Sequence, residues 1–179
     1  MDFAMVIAEV TRFLSERGVR HGLAGAVALH AYGLTRATRD LDFVVEEQGR
    51  QAILSHLASL GYELLQSSDG FSNHLHADRR WGRLDFIYVD ARTANALFLA
   101  AKELEIFPGA RLPVPCPEHL IAMKVQAIKN DPTRALQDLA DIQALLTLPG
   151  VDEQKVRGYF QKHGLADRFE ALQRDRGRN

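Results

Sequence analysis

The sequence predicts an α/β fold carrying a helical C-terminal annex, and three observations support it. Two β-branched and aromatic runs, RDLDFVV from Arg39 and RLDFIYV from Arg83, alternate with the period of a strand. Amphipathic helical patterns at 3–17 and 48–60 accompany them. Three prolines, Pro113, Pro115 and Pro117, then bracket a stiff connector, and beyond it the pattern is helical only. The boundary is expected near 115, separating a core at 1–115 from an annex at 116–179 packed on it.

Taken in order, the first helix places Phe3, Val6, Ile7, Val10, Phe13 and Leu14 on one stripe, and Gly18 stops it. A short strand, 19–24, leads into the Ala24-Gly25-Ala26 turn and an apolar helix at 27–32, which Gly33 breaks. The strand at 39–45 follows. The helix at 48–60 repeats Ile53, Leu54, Leu57 and Leu60, with Gly61 just beyond. After a strand at 62–65 and a polar break at 66–70 comes a hairpin: 71–77, a turn through Asp78 to Gly82, then 83–89. Residues 94–101 read as helical, and 103–107 with 111–114 as a small hairpin across Pro108-Gly109-Ala110.

In the annex, Pro117 suits the first turn of a helix at 118–129 with Leu120, Ile121, Val125 and Ile128 inward. Asp131-Pro132 starts the next helix, with Ala135, Leu139, Ile142 and Leu146 inward. Two closing helices, 151–163 and 165–173, precede a basic frayed tail at 174–179.

At 179 residues and 46% hydrophobic content, the chain has enough apolar material for a real core. A formal net charge of −1 gives no global basic bias, so any nucleic-acid contact rests on a local patch. The N-terminal stretch has Asp2 and Glu9 among its apolar residues and lacks a basic region before them, so it reads as a mature helix and not a signal peptide. No apolar run approaches the roughly 20 residues of a membrane span. The single cysteine, Cys116, excludes an intrachain disulfide and a Cys-rich zinc site, which fits a cytoplasmic location.

The chemistry concentrates in acids. Asp40 and Asp42, two apart on a strand, point to one face about 6 to 7 Å apart, while Leu41 and Phe43 face the core. Like charges that close stay ionised together most readily with a divalent cation or a ring of cations between them. Asp85 shares their face if its strand is a neighbour; taken alone it reads as a solvent-facing acid on a half-buried strand. Glycine before a helix suits phosphate approach at the backbone, though such a glycine is more often only a turn. Lys124 falls beside the apolar stripe of its helix, where it either snorkels or serves the site. An Arg134–Asp138 pair at i,i+4 is the bland account of the following helix. His74, His76 and Asp78 offer a weak zinc-like set on a strand expected at the surface. Arg79, Arg80, Trp81 and Arg83 at the hairpin tip offer an RNA contact, weighed evenly against a soluble turn with Trp81 half-buried.

Gly25-Ala26, then Arg36-Ala37-Thr38-Arg39-Asp40-Leu41-Asp42, then Asp85 resemble the nucleotidyltransferase superfamily, more narrowly its AbiEii-like, toxin-type branch. Glu118, Leu120 and Lys124, followed by Arg134, Asp138 and Asp141, match that branch's paired helices. The resemblance covers most of 20–147. It differs at Ala26, where many active members carry Ser and gain a hydroxyl contact to phosphate.

The resemblance implies a small mixed β-sheet with helices on one side. It also implies transfer of a nucleoside monophosphate from an NTP to a hydroxyl acceptor, with Mg²⁺ or Mn²⁺ held by Asp40, Asp42 and Asp85. Lys124, Asp138 and Asp141 would complete the catalytic set. Gly25, Ala26, Arg36, Thr38 and Arg39 would line the nucleotide. The implied acceptor is tRNA or another RNA, the implied role is the toxin of a toxin–antitoxin pair, and the implied protein partner is an antitoxin. The alternative is a catalytically inactive nucleotide- or partner-binding module of the same fold.

Overall fold

A computed structural model describes residues 1–176, apart from the side chain of Asp175. Two compact units divide the chain, Met1–Pro115 and Cys116–Asn179.

In the first unit, α1 (Phe3–Glu16) is capped by Asp2, whose carboxylate accepts from the Met5 N–H. β1 (His21–Leu23) is shorter than expected, and α2 (Gly25–Ala31) begins two residues early, so Gly25 and Ala26 form its first turn and do not precede it. The cause is local: Ala24 is extended and its N–H donates to Asp42 O at 2.8 Å, tying the turn to the next strand. β2 (Asp40–Glu46) follows. A 3-10 turn (Glu47–Gly49) then leads into α3 (Arg50–Ser59).

β3 (Tyr62–Ser67), β4 (Phe71–His76) and β5 (Arg83–Val89) complete a five-stranded sheet ordered β1-β2-β5-β4-β3. β2 and β5 run parallel while the other pairs are antiparallel, so the sheet is mixed. Of the polar break expected at 66–70, Gln66 and Ser67 extend β3 and pair with β4, and only 68–70 form the turn of a second hairpin, where Ser68 N–H donates to Phe71 O. α4 (Ala91–Leu99) starts three residues before its predicted position because Asp90 caps it, accepting from Thr93 N–H at 2.6 Å. β6 (Lys102–Phe107) and β7 (Ala110–Val114) form the small hairpin.

The alternation seen in sequence decides which sheet face is dry. Leu41, Phe43, Leu84 and Phe86 are at most 1% exposed and join Val6, Phe13 and Leu14 of α1 and Ile53 and Leu57 of α3 in one core. Each such side chain contributes about 1.5 to 3 kcal/mol of transfer free energy. The residues between them, Asp40, Asp42, Arg83 and Asp85, occupy the opposite face of the sheet.

The second unit holds α5 (Pro117–Asn130), α6 (Ala135–Leu145), α7 (Glu153–Lys162) and α8 (Ala166–Arg176). Asp131 caps as expected, but the turn that it opens, Pro132–Arg134, is 3-10 before α6 begins. The expected frayed tail is helical as far as Arg176, and 177–179 lie outside the described residues. Among the described residues no helix is long and apolar enough to cross a membrane.

Candidate active site

The acids meet through strand register. Asp42 stands opposite Asp85, and Asp40 opposite Arg83, across the parallel β2–β5 pair. The antiparallel neighbour extends the first row by one residue that the sequence did not single out, Asn73, opposite Asp85. No sequence signal marks Asn73, because its place depends on which strands pair.

Each carboxylate has its own support. Asp40 accepts from the Thr38 hydroxyl, which also lies 3.4 Å from the Asp40 N–H, so Thr38 orients the first acid. Asp42 faces Gly25, whose φ is +55°; a Cβ there would overlap the Asp42 carboxylate. Only glycine allows that approach without strain. Asp85 accepts from Arg83 Nε at 2.9 and 3.2 Å, with the carboxylate side chain 16% exposed and the arginine 44%. Arg83's pKa is raised, chiefly by its hydrogen bond to Asp85 and further by the charges of Asp85, Asp40 and Asp42.

The donor set suits a hard divalent cation, since three carboxylates on adjacent strands of one face offer only oxygen. The close fit of Gly25 under Asp42 also keeps one of these acids clear of side-chain crowding. Among the described residues, however, no three acids or imidazoles are gathered closely enough to form a metal-holding group as they stand. At Asp85 both oxygens accept from Arg83 Nε.

Of the remaining nucleotide-lining candidates, Ala26 is 1% exposed, so its methyl packs in the interior. The Arg36 N–H donates to His30 Nε2 at 3.1 Å, and Arg39 is exposed.

In the second unit, Lys124 does not snorkel. Its Nζ donates to Asp138 Oδ1 at 3.1 Å and to Asp141 Oδ2 at 2.5 Å, and all three side chains are at most 10% exposed. Arg134 Nε stands 3.4 Å from Asp138 Oδ2 without hydrogen-bond geometry, leaving that oxygen buried with no hydrogen-bond partner among the described residues. The two aspartates are therefore buried acids holding a buried lysine, and the i,i+4 pair is its outer fringe.

The zinc-like set does not form. His74 is 2% exposed in the core, with Nε2 2.8 Å from Ser72 Oγ, which is itself 2.7 Å from the Tyr88 hydroxyl. His76 Nδ1 accepts from the Asp78 N–H, leaving Nε2 to donate to Leu60 O, so both of its nitrogens are committed. Asp78 is held by Arg80, which pulls its pKa down to about 2. At the same hairpin tip Trp81 is half-buried, edge-on to Tyr62 and tilted against His76, while Arg79 is exposed.

A family model described as nucleotidyl transferase AbiEii toxin, type IV TA system, matches residues 18–178. No curated protein matches the chain. Among solved structures, the solution structure of the antibiotic-resistance factor ANT(2'')-Ia superposes with a TM-score of 0.66 at 16% identity, covering 100% of both chains. The crystal structure of ANT(2'')-Ia with adenylyl-2''-tobramycin gives 0.67 at 14% identity over 91% of this chain and 97% of the other. The lincosamide antibiotic adenylyltransferase LnuA, lincomycin-bound, gives 0.57 at 15% identity over 79% of this chain and 94% of its own. At these identities the likeness is one of fold, and the fold is that of nucleotidyltransferases.

Proposed function

The chain belongs to the AbiEii nucleotidyl transferase family, and on that premise we propose that it transfers a nucleoside monophosphate from an NTP to a hydroxyl of RNA, tRNA foremost, as the toxin of a toxin–antitoxin pair. The observation that carries the reading is the register that sets Asp42 opposite Asp85 and Asp40 one step along, with Gly25 packed against Asp42.

Asp40, Asp42 and Asp85 would hold Mg²⁺ or Mn²⁺, which when bound supplies positive charge to the phosphates in transfer. Thr38 fixes the Asp40 carboxylate and Gly25 admits that of Asp42, so the site's orientation is set before substrate arrives. The acceptor oxygen forms a bond to the α-phosphorus as the bond to the β-phosphate oxygen breaks. The acceptor proton passes to an Asp85 oxygen, and pyrophosphate leaves with the bonding electron pair. Gly25 and Ala26 lie along the triphosphate, and Arg36 and Arg39 offset its charge. Arg79, with Arg80, grips the RNA backbone; an antitoxin is the protein partner, and the compartment is the cytoplasm.

The test supplies each of the four labelled NTPs with Mg²⁺ to the wild-type chain, with total tRNA in one arm and tobramycin or lincomycin in others. Label in tRNA supports the reading. Label only in the small molecules replaces the acceptor while keeping the chemistry. Ala26, in place of a serine, favours an inactive binding module as the second reading, and absence of label in every arm together with Mg²⁺-dependent NTP binding would select it.

A further inference from the structure

Arg83 offers a positive charge inside the row of acids, and its geometry makes it more than a surface partner. It sits two residues before Asp85 on the same face and directly across from Asp40. Its Nε reaches both oxygens of Asp85 rather than projecting into solvent. A carboxylate whose two oxygens converge on one N–H has given up the position from which it would best grip a cation between them. The arginine side chain is 44% exposed, so the pair is cheap to break, as ion pairs at exposed sites are.

We propose that Arg83 is a resident counter-ion of the acid face, holding Asp85 in the cation-free protein and exchanging with a divalent cation when one binds. The inference rests on the reading of Asp40, Asp42 and Asp85 as cation ligands. The two states compete through charge. Either the guanidinium bridges the Asp85 oxygens, or the cation takes one of them and repels the guanidinium. In the first state Arg83 keeps three clustered carboxylates from destabilising the fold. In the second Asp85 joins the other two acids. Arg83 is thus a positioning residue that acts through Asp85 and sets the cation concentration at which the site assembles.

The experiment titrates Mn²⁺ into the full chain, previously stripped with EDTA, and follows free Mn²⁺ by electron paramagnetic resonance. Arg83→Gln should bind Mn²⁺ about fivefold more tightly than wild type, roughly the worth of an exposed ion pair no longer in competition. In EDTA the same variant should melt lower than wild type, and Mn²⁺ should raise its Tm by more. Equal or weaker Mn²⁺ binding by Arg83→Gln overturns the exchange and leaves Arg83 as a brace that helps Asp85 bind. Wild-type protein that binds no Mn²⁺ overturns the cation reading itself, and the exchange with it.

A second measurement does not depend on that variant's folding. The arginine Nε–H resonance missing from the spectrum of Arg83→Lys identifies Arg83 in the wild-type ¹H–¹⁵N spectrum, and it should shift on adding diamagnetic Mg²⁺. A resonance that stays in place as Mg²⁺ saturates the site overturns the proposal.

Discussion

Gly25 and Asp42 are packed so closely that the glycine's missing side chain is part of the acid's environment: at φ +55°, a Cβ on Gly25 would overlap the Asp42 carboxylate. Gly33 supplies the control, with φ +81° and nothing within 4 Å of the place a Cβ would occupy. Gly33→Ala should cost only the left-handed backbone penalty, about 1 to 2 kcal/mol. Gly25→Ala adds overpacking and should cost roughly 2 to 5 kcal/mol, while NTP transfer falls by orders of magnitude as Asp42 is displaced. Urea unfolding and labelled-NTP transfer on both variants decide it. Equal losses from the two substitutions would mean that the contact with Asp42 does not matter.

Asp42→Asn separates a catalytic acid from a structural one. Shape is nearly kept, one ligand charge is lost, and repulsion with Asp40 and Asp85 is relieved. Transfer should fall by orders of magnitude, each tenfold corresponding to 1.36 kcal/mol of lost transition-state stabilisation. The melting temperature in EDTA should hold or rise. A strongly destabilised variant in that measurement would make Asp42 a structural residue.

The buried trio in the second unit predicts a large asymmetry. Lys124→Met leaves Asp138 and Asp141 facing each other across a low-dielectric interior, with the Asp138 Oδ2 atom already without a hydrogen bond among the described residues. Breaking such a buried pair costs about 3 to 5 kcal/mol. The triple variant Lys124→Met, Asp138→Leu, Asp141→Leu should recover most of that loss, since no uncompensated charge remains. Denaturant melts of the two variants test this, and a loss below about 1 kcal/mol for Lys124→Met would contradict the buried geometry.

Local periodicity made most elements legible, because alternation in RDLDFVV and RLDFIYV is dictated by the pleat itself, and Asp40 and Asp42 share a face whatever surrounds them. Pairing was not legible. That β2 lies against β5 in parallel, bringing Asp85 to Asp42, and that Asn73 joins the row from β4, follows from long-range register that no short window encodes. Arg83 looked like one member of a basic hairpin tip because sequence gives its charge but not its direction; on the strand, spacing of two turns it onto Asp85. His74 was misread as a surface residue for a related reason. A histidine is polar by type, yet Ser72 and Tyr88 supply a buried hydroxyl chain that lets its ring join the core. Lys124, too, is buried only because two aspartates of another helix meet it.

His74 gives a pH dependence with a defined sign. Burial pushes its pKa below the ordinary value of 6.5, and the charge of Asp85 opposes that shift only in part. The folded state therefore holds this proton less tightly than the unfolded chain, whose histidines titrate near 6.5. The neutral ring's contribution to stability is fully present above about pH 6.5. It is lost as pH falls through that value toward the depressed folded pKa, by about 1.4 kcal/mol for each pH unit between the two. His56, His119 and His163 are also lowered by burial, so wild-type acid sensitivity alone does not isolate His74. His74→Gln does, since an amide can still hydrogen-bond Ser72 Oγ but does not titrate. The difference in unfolding free energy between wild type and His74→Gln should shrink or reverse from pH 7.5 to pH 5, as the wild-type protein alone loses the His74 term. Curves that stay parallel across that range would show that the His74 ring carries no buried-proton penalty.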